Sequence, residues 1–329
     1  MNLKALSNYN NDTDTRFGDC ILVYDESTLV VYDCGHQKHA ENVMHFLEEN
    51  PTINSVNIVV SHNDSDHTAG VCDLIEALAA GKQYYVKIYT HQLLKYADDI
   101  LEIINDGRRT HDSVKKAILD EFDNIKAIID KAQENNFDTI EALVKTAVGP
   151  CEIVGPTADE FIQTAAKAID DRESNKIGAG HIEETVMNAA SIQLKGTIDI
   201  SEKMLLCGDA TPDFIKDISK YDIIQLPHHG KLENAQDIFD KLNGDSYKKK
   251  YLISDNTGSG ETSGGSDKLV QYIKEEKYNQ DLFFNTKNGP VSLNTSKETK
   301  STGDPVNTNK ERRYLGDLDC IKENFEKRG

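Results

Sequence analysis

No stretch of the 329-residue chain approaches about 18 consecutive apolar residues, so a transmembrane helix is not expected. Residues 1–19 are polar and carry no apolar core of the kind a secretory signal needs, which leads to the expectation of a cytoplasmic protein. Basic residues are scarce: 37 Lys and Arg stand against 56 Asp and Glu, a net charge of −19. A long nucleic-acid duplex is a polyanion and is disfavoured as a partner, because such a chain repels it unless one face is locally basic. A small anionic or nucleotide-like substrate held through a metal is not excluded. The six cysteines (Cys20, Cys34, Cys72, Cys151, Cys207 and Cys320) form no CxxC pair, so neither a structural zinc site nor a redox motif is supported. Reduced, mostly buried thiols are expected instead. Ser254–Asp267 is rich in Gly and Ser but has no Lys-Ser or Lys-Thr pair to complete a phosphate-binding P-loop. No internal repeat is visible, and a homodimer is left open.

What is present reads as an α/β chain. Strands are predicted at Cys20–Tyr24, Thr28–Asp33, Val56–Val60 and Tyr84–Tyr89, with helices at Lys38–Glu49 and Thr68–Ala80 between them. Residues 91–147 differ, with three successive stripes at helical spacing: Leu93, Ala97, Ile100 and Ile104; Val114, Ile118, Phe122, Ile125 and Ile129; and Ile140, Val144 and Ala147. They read as a helical insertion beside the cleft, without strands. Alternation resumes with strands at Met204–Cys207, Asp222–Leu226, Tyr251–Ser254, Leu282–Asn285 and Val291–Leu293. Helices are predicted at Asp213–Ile218, Asn234–Leu242 and Asp267–Glu276. One domain over 1–295 is expected, followed by a polar, partly flexible segment over 296–329 with a short helix at Arg312–Phe325.

Chemistry concentrates in Ser61-His62-Asn63-Asp64-Ser65-Asp66-His67, directly after the apolar strand VNIVV and before a helix. Four metal-ligand side chains on a strand-to-helix turn can face two ways, His62 and Asp64 to one side, Asp66 and His67 to the other. That arrangement can nucleate two neighbouring cations. Leu205-Leu206-Cys207-Gly208-Asp209 is an apolar strand ending in a carboxylate, which can bridge two cations and offset their repulsion. Ile223–Leu226 leads into Pro227-His228-His229-Gly230, where paired histidines suit a ligand and a proton donor.

These motifs, in this order, resemble the metallo-β-lactamase-fold hydrolases. The first motif is similar to the superfamily's HxHxDH with Asp64 in place of the second histidine. Together with Leu-Pro-His-His-Gly it resembles the C-terminal hydrolase domain of the DNA-uptake protein ComEC and its stand-alone relatives. Phe17–Leu22, Val31–Gly35, Met187–Ser191 and Lys287–Val291 resemble further family segments, so the likeness spans about residues 16–294. The resemblance implies a four-layer αββα sandwich. It also implies roles: Asp66, His67 and His229 on one metal, His62 and Asp64 on the other, Asp209 bridging, and Asp33 orienting a ligand histidine. His228 would then act as acid or oxyanion donor, with an exchange of roles between His228 and His229 left open. The superfamily's further histidine on the first metal has no match; Asn188 is the candidate ligand there and His181 the alternative. The Gly-His-Pro of ComEC-like sequences after the Ile-Ser strand is also absent.

The expected function is therefore metal-dependent hydrolysis, first as a two-metal phosphodiesterase or nuclease acting on a nucleotide or short nucleic acid through a metal-bound hydroxide. Asp66 and His228 would be the catalytic residues. With three Asp and three His among the main ligands, Zn²⁺ or Mn²⁺ is expected and Mg²⁺ is admissible. The alternatives are an amide or ester hydrolase of peptidase or lactamase type, and a sensor module with a degenerate site. Lys231 and Lys287 are the candidate basic lining for a phosphate.

Overall fold

The computed structural model describes residues 1–7, 18–81, 83–104, 110–175, 186–198, 201–256 and 266–293. The expectations that concern Phe17, His181, the centre of the Gly/Ser stretch and residues 296–329 lie outside these.

Two seven-stranded sheets form the middle of the molecule. The first runs, edge to edge, β14 (Val291–Leu293), β1 (Asn2–Ala5), β2 (Ile21–Tyr24), β3 (Thr28–Tyr32), β4 (Ser55–Val59), β5 (Tyr85–Thr90) and β6 (Asp138–Glu141). Its first four strands are antiparallel, and β3 to β6 are parallel. The second runs β13 (Phe283–Asn285), β12 (Lys250–Ile253), β11 (Ile223–Gln225), β10 (Glu202–Leu206), β9 (Gln193–Ile198), β8 (Cys151–Gly155) and β7 (Ala147–Val148). Here β10 to β13 are parallel and β7 to β10 antiparallel. The parallel strands are covered on both faces, which is why they read as continuous apolar runs rather than alternating ones.

Three buried clusters separate four layers. Leu3, Val23, Val30, Tyr32, Ile153, Leu194, Met204 and Leu252 pack between the sheets. The outer face of the first sheet packs on α1 (Gln37–Glu49), α3 (Val71–Ala80), α4 (Ala97–Ile104), α5 (His111–Glu121), α6 (Asp123–Glu134) and α7 (Ala158–Asn175). The single turn α2 (Ser65–Thr68) precedes α3. The outer face of the second sheet packs on α9 (Leu232–Leu242) and α10 (Asp267–Glu275), with the turn α8 (Pro227–Gly230) leading into α9. This is the αββα sandwich that the resemblance implied.

The helical reading of 91–147 needs correction. The segment is helical as far as Glu134, then Asp138–Glu141 pairs in parallel with Lys87–Thr90 as β6, and Ala147–Val148 pairs with β8 as β7. The helices α4 to α6 are thus the crossover from β5 to β6, and a parallel pair needs such a connection. Ala97, Ile100, Val114, Ile118, Phe122, Ile125 and Ile128 belong to the core under the first sheet, so the helices are an integral outer layer rather than an appendage. Among the described residues the thiols follow expectation: Cys20, Cys34, Cys151 and Cys207 are free and buried, and Cys72 is free and half-buried.

Candidate metal centre

The loop after β4 is held by backbone contacts from both sheets. Val60 donates to Tyr89 O (3.0 Å), and Ser61 O accepts from Ile192 N (2.9 Å). The carbonyl of Asp64 accepts from the amides of His67 (3.0 Å) and Thr68 (3.1 Å), which starts α2 and sets Asp66 and His67 on its single turn. Asp19 N donates to Asp66 O (2.8 Å) and Cys34 N to His67 O (3.0 Å), clamping that turn onto the start of β2 and the end of β3. Gly35 allows the approach: a Cβ there would lie 1.6 Å from the carbonyl oxygen of Asp66.

Hydrogen bonds then determine which nitrogen each imidazole turns inward. Ser61 Oγ donates to Asp33 Oδ2 (2.6 Å), and Ser191 Oγ donates to the Asn188 carbonyl (2.8 Å). Both hydroxyl protons are thereby used, so His62 Nδ1 carries the hydrogen that the two oxygens accept (2.9 and 3.2 Å). His67 Nδ1–H donates to Asp33 Oδ2 (2.8 Å). His229 Nδ1–H is shared between Asp19 Oδ1 (2.9 Å) and the Ser254 carbonyl (3.0 Å). Nε2 is thus the nitrogen that each ring turns toward the cluster, as a histidine ligand requires.

The second sheet brings Asp209 and the two histidines to the same place from the ends of β10 and β11. Asp209 Oδ1 lies 3.4 Å from His67 Nε2, and its Oδ2 lies 3.3 Å from His228 Nδ1 and 3.6 Å from His229 Nε2. His229 Nε2 is also 3.1 Å from Asp66 Oδ2. Both histidines sit in the left-handed region, at φ 55° and 56°, which disfavours non-glycine residues. Such backbone strain concentrates at functional sites.

The donor set fits a metal. His62 Nε2, His67 Nε2 and Asp209 Oδ1 are buried without a hydrogen-bond partner. One ligand atom from each of these three residues lies within 4.8 Å of the others, and the same holds for Asp19, His67 and His229. Buried polar atoms that converge unpaired are costly unless a cation satisfies them. The electrostatics agree. Burial opposes a charge on His67 and on His229, yet Asp209 with Asp33, and Asp209 with Asp19, carry their pKa values well above the ordinary one. Burial likewise opposes ionisation of Asp209 and Asp66, but the facing histidines hold both carboxyls below the usual range. His62 is the exception: burial, then neighbouring His67, lowers it to about 4. The field at the centre selects positive charge, while His62 stays neutral and able to ligate.

The predicted residues are therefore brought together. His62, His67, Asp209, His228 and His229 are buried in one cluster with half-buried Asp66, and Asp64 Oδ2 lies at its edge, 3.9 Å from His62 Nε2. Asn188 is buried beside the cluster on the turn Val186–Ala190, where its carbonyl holds Ser191. Asp33 orients His67 as anticipated. Three contributions went unassigned in the sequence: Asp19, Ser61 and Asn256, whose amide donates to Asp66 Oδ2 (2.6 Å). Asp19 lies in the segment Phe17–Leu22 that resembles a family strand, but the resemblance assigned it no role. A fourth is Asn63, whose side chain donates to Glu121 O (3.1 Å) and accepts from Ile125 N (2.9 Å), tying the ligand loop to the α5–α6 junction.

Solved structures similar to this chain include metallo-β-lactamase-fold proteins. The YhfI protein of Bacillus subtilis is 13% identical, with a TM-score of 0.37, over 68% of this chain and 70% of that one. A diphosphatase of the PhnP family is 13% identical, with a TM-score of 0.37, over 77% of this chain and 85% of that one. The long-form RNase Z of yeast is 10% identical, with a TM-score of 0.34, over 76% of this chain and 36% of that one. No protein-family model and no curated protein matches the sequence. None of these similarities bears on substrate.

Proposed function

We propose that the protein is a metal-dependent hydrolase and, within that class, a two-metal phosphodiesterase or nuclease acting on a nucleotide or short nucleic acid. The observation that carries this reading is the convergence of buried, unpartnered His62 Nε2, His67 Nε2 and Asp209 Oδ1 beside Asp66 and His229. His62 and Asp64, with Asn188, would hold one ion; Asp66, His67 and His229 would hold the other; Asp209 would reach both. When bound, divalent ions acidify water and stabilise charge developing on a phosphoryl group, so no Ser or Cys nucleophile is required. The carboxylate share of the set suits Mn²⁺ and Mg²⁺ as well as Zn²⁺.

The chain's own residues do the rest. Asp33 and Asp19 hold the Nδ1 protons of His67 and His229 and so keep both rings aimed inward. His229, anchored by Asp19 and beside Asp66, is the ligand of the histidine pair. His228 keeps its Nδ1 on Asp209 Oδ2, which leaves Nε2 as the atom for delivering a proton to a departing oxygen. Lys287 is paired with Asp267, so it is not held ready as a phosphate ligand. The net charge of −19 favours a short substrate over a duplex.

The test is elemental analysis of the purified protein followed by assay of the Mn²⁺- and Zn²⁺-loaded forms on phosphodiesters, nucleotides, single-stranded oligonucleotides, peptides and a lactam. Phosphodiester cleavage is expected. Cleavage of a peptide or lactam alone transfers the site to amide hydrolysis. A fully metallated protein inert on every class points to a sensor, and a protein that takes up no metal removes the hydrolase reading altogether.

A further inference from the structure

We infer that Gln225 is a positioning residue of the metal centre, joining the anchor of His229 to the turn that carries Asp209. Gln225 is the last residue of β11 in the second sheet and is buried. Its Nε2 donates to Asp19 Oδ2 (2.9 Å), across to the first sheet. Its Oε1 accepts from the backbone amides of Cys207 (3.0 Å) and Gly208 (3.2 Å). Those two partners are donors only, so the amide cannot be turned over: the oxygen must face β10 and the nitrogen must face Asp19. The other oxygen of Asp19 holds His229 Nδ1 (2.9 Å), and Gly208, at φ 50°, turns the chain into Asp209. One primary amide thus connects two ligands that arrive on separate strands.

The chemistry explains the residue type. At the end of β10 the chain leaves the sheet, and the amides of Cys207 and Gly208 need an acceptor there because Cys207 is fully buried. A few ångströms away a buried carboxylate needs a donor. Only a side chain with both functions at the end of a two-methylene stem meets the two demands at once. Lys would serve Asp19 and leave the amides orphaned. Glu would serve the amides and set a second carboxylate against Asp19. Met would serve neither at nearly the same volume. No sequence motif marks the position, since Ile-Ile-Gln-Leu reads as an ordinary strand end.

The inference rests on the metal reading of the site, and three variants test it: Gln225→Met, Gln225→Lys and Gln225→Glu. Metal dissociation constants are measured by chelator competition, the cobalt-loaded protein by its visible spectrum, and the Cys207 and Gly208 amides by hydrogen exchange in metal-free protein. Gln225→Met is expected to bind metal roughly 10–100-fold more weakly, the usual effect of losing a group that orients ligands. Its cobalt spectrum should change as well. Exchange at Cys207 and Gly208 should accelerate in Gln225→Met and Gln225→Lys but not in Gln225→Glu. A Gln225→Met protein that folds, as judged by circular dichroism, and binds metal within about twofold of wild type overturns the inference, even if its melting temperature has fallen. Should Gln225→Met fail to fold, the other two variants decide by the same criteria; failure of all three makes the residue a folding element and sinks the inference. Wild type that binds no metal removes the metal reading and this inference together, whereas unchanged variants of a metal-binding wild type remove this inference alone.

Discussion

In the half of the centre contributed by the first sheet, His62, Asp64, Asp66 and His67 lie within six residues on one loop, and the carboxylate that orients His67, Asp33, follows the adjacent strand β3. In the half contributed by the second sheet, Asp209 and His229 come from the ends of two strands, and the carboxylate that orients His229 is Asp19, 210 residues away in the other sheet. The ligands of the first half are contiguous in one loop, although Ser191, Ile192 and Asn256 also hold that loop from the side of the second sheet. The second exists only once the two sheets have closed on each other. A contiguous ligand loop is therefore joined to a set that is scattered along the chain.

The largest effect expected from breaking either half is the same. His67→Ala and Asp209→Ala should each lose most of the bound metal and, with it, hydrolysis by several orders of magnitude, because these two side chains hold the converging atoms 3.4 Å apart. Elemental analysis and phosphodiester assay read both. Unchanged metal content in Asp209→Ala would take that carboxylate out of the site.

Next in size is the contrast within the second half. His228→Ala should keep its metal and lose turnover by about 10²-fold, as expected for loss of a proton donor, while His229→Ala should lose metal. The opposite outcome exchanges the two roles.

Smaller effects test the supports behind the histidines. His67 and His229 would share one ion, so Asp33→Asn and Asp19→Asn should each weaken the binding step of that ion by roughly 10–100-fold and leave the step assigned to His62 and Asp64 less changed. Titration with a chelator, following two binding steps, checks this. Equal weakening of both steps by either variant would show that the two ion sites are not independent.

A last effect, of similar size, concerns stability and lies away from the centre. His39 on α1 and His91 after β5 are buried on the first-sheet side, where burial lowers them to about 3 and about 4. Both are neutral in the folded chain, but the unfolded chain protonates them below about pH 6.5. Between that pH and the folded values the unfolded state binds more protons, so their contribution is complete above about pH 6.5 and is lost as pH falls. For His39 the loss at pH 4.5 is on the order of 2–3 kcal/mol. Neither ring nitrogen of His39 has a hydrogen-bond partner, so His39→Leu should flatten the acid limb of a urea-denaturation series. An unaltered slope between pH 6.5 and 4.5 (within about 0.5 kcal/mol) would remove His39 from the account.

The parts of the molecule legible from sequence are those whose signal is local. VNIVV announces a strand covered on both faces, and the ligands that follow it are contiguous, so spacing alone assembles half of the site. The ends of β10 and β11 are visible for the same reason. The stretch Cys151–Ile198, which forms β8, α7 and β9, carried no comparable signal and was left without predicted elements. The last part of the helical segment misled: Ile140, Val144 and Ala147 fall at helical spacing, and a four-residue strand is too short to show alternation against it. What makes Asp138–Glu141 a strand is the open edge of β5, which supplies its hydrogen-bond partners.

By itself, then, the sequence determined the α/β alternation, the buried parallel strands and the candidate metal-ligand side chains, because each depends on neighbours within a few residues. Tertiary structure alone decided which of His228 and His229 meets Asp19, which nitrogen each imidazole turns inward, and that Gln225 spans the two sheets. Sequence composition treats the adjacent histidines alike. Their left-handed backbone and the closing of one sheet on the other place Asp19 beside His229 and Asp209 beside Nδ1 of His228, and the first of these distances is set by packing across 210 residues rather than by any local preference.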